Sequence, residues 1–123
     1  MKRTWFALPA LLALAACGEI YEPGICPAVV PPSVQVTALD SVTSANVTPG
    51  ATLVLSNASG VDSVTVPTGP LTTMGVGDNR TGTFTLRVRQ TGYQVWAKSG
   101  VKVEQGDCGA RTVQVTARLQ PAT

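Results

Sequence analysis

The stretch that decides the fold is residues 82–89, Gly-Thr-Phe-Thr-Leu-Arg-Val-Arg. Its apolar residues, Phe84, Leu86 and Val88, alternate with threonine and arginine. Successive side chains of a β-strand point to opposite faces of a sheet, so this alternation places three apolar side chains on one face and both arginines on the other. The stretch therefore predicts a half-buried strand whose second face, with Arg87 and Arg89, is solvated.

The same alternation recurs along most of the chain, with valine and threonine in excess, as suits a pleated and half-buried surface. Further strands are predicted at residues 34–39, 53–55, 64–66, 101–103 and 113–119. Turn-forming residues separate these runs at 57–60, 91–92, 99–100 and 105–110. No helical period is present, so the pattern predicts an all-β domain of about seven short strands in a two-sheet sandwich.

Residues 67–82 lack any alternation and are rich in glycine, proline and polar residues, so they are predicted to form one long loop. Long loops in compact domains are often either functional or mobile. Leu71, Asp78 and Arg80 are the candidate binding residues in this stretch. The choice between a binding loop and a plain flexible connection stays open at this point.

Trp96 is the fourth candidate binding residue. An exposed tryptophan can stack on sugar rings or anchor a protein partner. In a domain with few aromatic residues, the favoured alternative is that Trp96 packs over the sandwich and stabilises the core.

The N-terminal segment has the three parts of an export signal: the basic residues Lys2 and Arg3, an apolar run over residues 4–14, and small residues next to a cysteine. The apolar run is too short to span a bilayer, which takes about 20 residues. Leu14-Ala15-Ala16-Cys17 resembles the lipobox of bacterial lipoproteins. An ordinary secretory signal followed by an incidental cysteine is the alternative.

The lipoprotein resemblance implies that residues 1–16 are a signal peptide and that the thiol of Cys17 receives diacylglycerol, with a further acyl chain such as palmitate on its amine. The partner at this end of the chain would then be a lipid bilayer in a bacterial cell envelope. Gly18, where family members retained in the inner membrane often have aspartate, favours an outer-membrane lipoprotein facing the periplasm or the cell surface.

Residues 17–33 contain four prolines and no periodic pattern, which predicts a lipidated tether leading to the domain at residues 34–121. Cys26 and Cys108 are the two cysteines left after Cys17, and an exported chain lies where disulfides persist. We therefore expect a Cys26–Cys108 disulfide, with two free thiols as the alternative.

Composition excludes several functions. The chain contains no histidine, which removes Ser-His-Asp and Cys-His catalytic sites and histidine-ligated zinc sites. Loss of Lys2 and Arg3 would leave seven basic and seven acidic residues, so a neutral mature chain without a basic cluster is not expected to bind nucleic acid. We expect no enzyme activity, no metal and no cofactor.

One family resemblance comes from the second half of the chain. Residues 82–88, followed by Gly92-Tyr93 and the alternating Val101 and Val103, resemble the carboxypeptidase regulatory-like domain. In that family a glycine precedes an aromatic residue that opens a strand, and a Gly-Tyr pair marks the next turn. The resemblance implies a non-catalytic accessory module with a Greek-key β-sandwich of transthyretin-like or immunoglobulin-like layout.

Two hypotheses for function follow. In the first, a membrane-anchored lipoprotein presents a non-catalytic binding or structural module that recognises a protein or an envelope polymer. In the second, a periplasmic inhibitor or accessory subunit inserts the loop at residues 67–82 into the active site of a partner.

Overall fold

A computed structural model describes Cys26 and residues 29–122. The predicted signal peptide, the predicted lipidation site Cys17 and most of the predicted tether lie outside these residues. Within the described part there are nine strands and no helix. The strands are β1 Pro32–Asp40, β2 Thr52–Asn57, β3 Gly60–Thr65, β4 Met74–Asp78, β5 Gly82–Arg89, β6 Trp96–Val103, β7 Gln105–Gly106, β8 Gly109–Ala110 and β9 Val113–Leu119.

The strands form two main sheets and a small hairpin. The three-stranded sheet has the order β4-β1-β9, and the four-stranded sheet has the order β3-β2-β5-β6. Strands β1 and β9 pair in parallel, whereas the other neighbours in both sheets are antiparallel. Strands β7 and β8 pair only with each other. The prediction of an all-β, two-sheet domain is confirmed.

Strand β5 has the two faces that its sequence predicts. Phe84, Leu86 and Val88 are buried, while Arg87 and Arg89 are exposed on the other face. The strand pairs with β2 on one side and β6 on the other, so it lies in the interior of the four-stranded sheet. The sequence 82–89 therefore supplies the centre of the core from one sheet.

The core lies between the two sheets and is almost entirely aliphatic. Phe84 is the only aromatic side chain among the buried core residues of the described chain. Burial of one such side chain stabilises a fold by about 1.5–3 kcal/mol, and valine, leucine and alanine supply the rest. The remaining core members are Val34, Val36, Ala38, Ala51, Leu53, Leu55, Val66, Val76, Leu86, Val88, Val101, Val103, Ala110, Ala117 and Leu119.

The prediction of one long loop at residues 67–82 is wrong, because this stretch contains the edge strand β4. Its sequence, Met-Gly-Val-Gly-Asp, is poor in the β-branched and aromatic residues that favour strands. Gly75 and Gly77 allow the backbone of β4 to pack closely against its neighbours. A Cβ atom on Gly75 would lie 2.7 Å from Cβ of Pro32, and one on Gly77 would lie 2.9 Å from Cδ2 of Leu55.

The predicted turn at Ser99-Gly100 is also wrong, because both residues lie inside strand β6. The register between β5 and β6 shifts by one residue here, and Gly100 has a φ of +72°. An extra residue in one strand of a pair produces a β-bulge, and glycine at positive φ is common in such bulges. The same two residues that favour a turn thus form a bulge in an edge strand.

The first strand starts at Pro32, two residues before the expected start of the domain. Ser33 is fully buried, and its Oγ donates to the backbone oxygen of Arg80 at 2.7 Å and accepts from the Arg80 amide at 2.8 Å. The end of the proline-rich segment is therefore part of the sheet.

Replacing Gly77 with alanine tests the close approach of β4 to the core. Gly77 has a φ of +81°, so a side chain there suffers both backbone strain and collision with Leu55 and Ser33. Gly92 has a φ of +86°, and a Cβ atom on it would have no neighbour within 4 Å, so Gly92→Ala is the matched control for strain alone. In urea unfolding we expect Gly92→Ala to cost about 1–2 kcal/mol and Gly77→Ala about 1–3 kcal/mol more. Equal losses in the two variants would contradict the crowding at Gly77.

Candidate functional site

The loops of the domain gather at two opposite ends. We call the end with the start of β1, the turns at residues 57–60 and 79–81, and the β7–β8 hairpin the proximal pole. The distal pole comprises residues 41–51, 66–73, 90–95 and 120–122. The strand registers assign these ends, since Gly82 pairs with Val103 at one end and Arg89 with Thr52 at the other.

The disulfide lies at the proximal pole. Cys26 and Cys108 are bonded, with their Cα atoms 5.2 Å apart, and Cys108 lies in the turn of the β7–β8 hairpin. The amide of Ala110 donates to Oδ1 of Asn79 at 2.7 Å, and the Asn79 amide donates to the backbone oxygen of Pro31 at 2.9 Å. The predicted pairing is confirmed, and it fixes the N-terminal segment to the end of the domain where the chain enters.

The four candidate binding residues do not come together. Leu71 lies at the distal pole, whereas Asp78, the last residue of strand β4, and Arg80, which follows the strand, lie at the proximal pole. Trp96 begins strand β6 at the side of the sandwich. The prediction that residues 67–82 form a single binding loop is therefore wrong, because the paired strand β4 separates the two halves of this stretch.

Arg80 holds three elements together at the proximal pole. Its guanidinium forms an ion pair with Asp62 of β3 and donates from Nη2 to Oδ1 of Asn57 at 2.9 Å. The guanidinium carbon lies 5.0 Å from the centre of the Phe84 ring. A guanidinium with a carboxylate, an amide oxygen and an aromatic ring around it is a packed structural group.

Trp96 faces the inner side of its sheet. It pairs with the buried Val88 and packs partly buried against the core. Beside it, the open edges of β6 and β9 border a groove of about 320 Å³ that Trp96, Lys98 and Gln114 help to line. This placement matches the favoured expectation that Trp96 packs over the sandwich.

Asp40 and Tyr93 join the two sheets at the distal pole. The Tyr93 hydroxyl donates to Oδ2 of Asp40 at 2.6 Å, and Oδ1 of Asp40 accepts from the amides of Val42 and Thr43 at 2.7 and 2.9 Å. These bonds stabilise the ionised carboxylate, so the pKa of Asp40 lies below its ordinary value of 3.8, with the Tyr93 hydrogen bond as the largest cause. The same bond raises the pKa of Tyr93 above 10.0.

The distal pole also presents exposed aliphatic side chains that sequence reasoning missed, apart from Leu71. Val42 is 76% exposed, Val95 is 55% exposed and Leu71 is 42% exposed, and each belongs to a different loop of this pole. The strand pattern gives no signal for Val42 and Val95, because their exposure depends on loop conformation. Loops held on a rigid scaffold are a common location for binding residues, so the distal pole is the candidate functional site.

Comparison with known proteins adds no relative. No protein-family model matches the chain, and no curated protein matches it.

Residues 26 and 29–122 contain neither a membrane-spanning helix nor a cluster of metal ligands. No helix of this part is long and apolar enough to cross a membrane. In the same residues, no three acidic or cysteine side chains cluster closely enough to hold a metal ion.

The disulfide should stabilise the domain strongly. Closing a separation of 82 residues restricts the unfolded chain by about 4–5 kcal/mol in the chain-entropy estimate. We expect Cys108→Ser to lower the melting temperature by at least several degrees, and the Cys26→Ser, Cys108→Ser double variant to melt at the same temperature as the single one. Rapid labelling of Cys26 by a thiol reagent in the unreduced wild type would contradict the pairing.

The Asp40–Tyr93 bond should make stability depend on pH in two places. The contribution of Asp40 is present above its unfolded pKa of 3.8 and is lost as the pH falls through its lower folded pKa. The contribution of Tyr93 is present below its unfolded pKa of 10.0 and is lost as the pH rises through its higher folded pKa. We therefore expect the melting temperatures of the wild type and Tyr93→Phe to differ most between about pH 4 and pH 10 and to converge at both extremes.

Asp40→Asn provides the control for this pH profile. When Asp40→Asn is already present, adding Tyr93→Phe should change the melting temperature by an amount that no longer depends on acid pH, because the titrating carboxylate is gone. A wild-type difference that stays constant from acid to alkaline pH would show that Tyr93 acts through packing alone.

Proposed function

We propose that this chain is a bacterial envelope lipoprotein in which a lipid on Cys17 anchors a non-catalytic β-sandwich that binds a partner. The support for the anchor is the lipobox-like Leu14-Ala15-Ala16-Cys17 after a basic start and an apolar run. Two observations support a binding role without catalysis. The sequence contains no histidine, and the candidate residues do not come together but lie at both poles and on one side of the domain.

The single observation that carries the proposal is the position of the disulfide. Cys26 follows Cys17 by nine residues and is bonded at the proximal pole. Nine residues of extended chain span about 30 Å at most, so a lipid on Cys17 would hold the proximal pole near the membrane surface. The distal pole, with the exposed Val42, Leu71 and Val95, would then point away from the membrane toward a partner.

The finer fold assignment, a Greek-key sandwich of the carboxypeptidase regulatory-like kind, is part of this proposal. Gly82 opens strand β5 and Phe84 is buried two residues later, as the resemblance implies. The closing strand β9 ends at Leu119 and lies beside the first strand. The chain also crosses between the sheets from β3 to β4 and back to β5, which supports a Greek-key path.

The alternative, a periplasmic inhibitor that inserts residues 67–82 as one loop, has no observation in its favour. Only the short segment before β4, which contains Leu71, projects from the distal pole. Asp78 and Arg80 belong to the opposite pole.

Replacing Cys17 with alanine tests the anchor. A diacylglycerol thioether supplies two acyl chains, each contributing about 0.8 kcal/mol per buried methylene, so Cys17→Ala should move the protein out of the membrane fraction and abolish labelling with radioactive palmitate. The Cys26→Ser, Cys108→Ser double variant is the matched cysteine control and should stay membrane-bound and labelled. Full membrane retention and labelling of Cys17→Ala would overturn the proposal.

A further inference from the structure

The outer face of the four-stranded sheet carries mainly hydroxyl side chains, two arginines and Lys102. Arg87 lies beside Val54 and Ala97, and Arg89 lies beside Thr52, as the strand registers require. Thr52 and Thr65 also face each other there, with their hydroxyl oxygens 3.4 Å apart. We call this surface the arginine face.

The two arginines are not neutralised by neighbouring carboxylates. Both are exposed, and within the described chain neither forms an ion pair or a side-chain hydrogen bond. Asp62 of strand β3 points to the other side of the sheet, where it is paired with Arg80. Lys102 and Glu104 approach within 3.7 Å of each other farther along the chain, toward the proximal pole.

The fold places the acidic residues and these two arginines on different parts of the surface, although acidic and basic residues are equal in number in the predicted mature chain. The exposed carboxylates Asp78, Glu104 and Asp107 lie at the proximal pole, and Asp40, at the distal end, is buried and hydrogen-bonded to Tyr93. The arginine face is consequently electropositive in a chain whose mature net charge is zero by sequence. Complementary charge selects the partner of such a surface and accelerates its association.

We propose that the arginine face binds an anionic polysaccharide whose sugars bear carboxylate groups. This inference specifies the partner of the proposed binding module and rests on that binding role, but it does not depend on the lipid anchor. Arg87 and Arg89 are two residues apart, which places their stems about 7 Å apart along an extended strand. Each guanidinium can grip a carboxylate with two parallel hydrogen bonds.

The composition of the face favours a polysaccharide over an acidic protein segment. Protein interfaces bury a core of apolar and aromatic side chains. On the strands of the arginine face the apolar residues are the small Val54 and Ala97 beside Arg87 and Val61 nearer the proximal pole. At the distal end of the face, Arg89 and Thr52 line a pocket together with Val95 and Tyr93. Most of the other groups on the face are threonine and serine hydroxyls, which donate to and accept from sugar hydroxyls.

The test measures binding of the full-length chain, purified in a non-ionic detergent, to polygalacturonate at low ionic strength by calorimetry. We expect the wild type to bind, with affinity that falls as salt is added. The double variant Arg87→Gln, Arg89→Gln should bind at least about tenfold more weakly, because two charge-assisted contacts are lost. Arg87→Lys, Arg89→Lys should fall between the two, because lysine keeps the charge without the bidentate geometry.

A matched double variant, Arg111→Gln, Arg118→Gln, removes the same two charges from other exposed positions and should bind as the wild type does. Melting temperatures of all variants, expected to be unchanged, establish that each is folded. No binding by the wild type, or equal weakening of both glutamine pairs, would overturn the proposal. Binding to poly-glutamate as tight as to polygalacturonate, with the same loss in Arg87→Gln, Arg89→Gln, would overturn it in favour of an acidic polypeptide.

The arginine face and the lipid anchor are tested by separate measurements. Dextran, a neutral polymer, should not bind. Tight binding of dextran would show that the surface recognises sugars that bear no carboxylate, which would contradict the proposal. A chain that binds polygalacturonate yet is not lipidated on Cys17 would overturn the anchor and leave the arginine face intact.

Discussion

Two nearly aliphatic sheet faces, centred on Val34 and Val36 of one sheet and on Leu53, Leu55 and Leu86 of the other, exclude water from the middle of this domain. Because few of these side chains are large, the core is filled by bringing the strand backbones close together. Strand β4 comes so near the core that Gly77 has no room for a Cβ atom beside Leu55. A domain with so little aromatic burial gains proportionately from covalent closure, which the Cys26–Cys108 bond supplies at one end.

The two ends of the sandwich are built differently. At the proximal pole, the disulfide, the Arg80–Asp62 ion pair and the bonds of Asn79 hold the entering chain, a hairpin and two turns together. At the distal pole, Asp40 receives three hydrogen bonds and joins the end of β1 to the connection between β5 and β6. Polar groups at both ends are therefore used mainly for structure, and the exposed surfaces left for binding are the distal aliphatic side chains and the arginine face.

Polar residues that look available in a sequence can be fully occupied in a fold. By sequence, Arg80 is a candidate binding residue because it lies in a stretch without strand pattern, yet its guanidinium has an ion pair, a hydrogen bond and a ring contact. Arg87 and Arg89 follow the ordinary alternation of a strand, which by itself indicates only a solvated face. Within the described residues the fold leaves both without a carboxylate partner, as it also leaves Arg111 and Arg118, but only Arg87 and Arg89 lie side by side on one sheet face.

Local pattern by itself determined the strands β5 and β9, the hairpin turn at residues 57–60, the burial of Phe84 and the all-β class, since alternation and turn residues act over a few positions. The Cys26–Cys108 pair followed from cysteine number and the expected export. Tertiary structure alone decided that residues 74–78 form a strand, that Ser99-Gly100 is a bulge, and that β1 pairs in parallel with β9. It also decided that Leu71 and Arg80 lie at opposite poles. The physical reason is that each of these features depends on a contact with a distant segment, such as Pro32 and Leu55 against the glycines of β4, and no local pattern records which distant segment will be there.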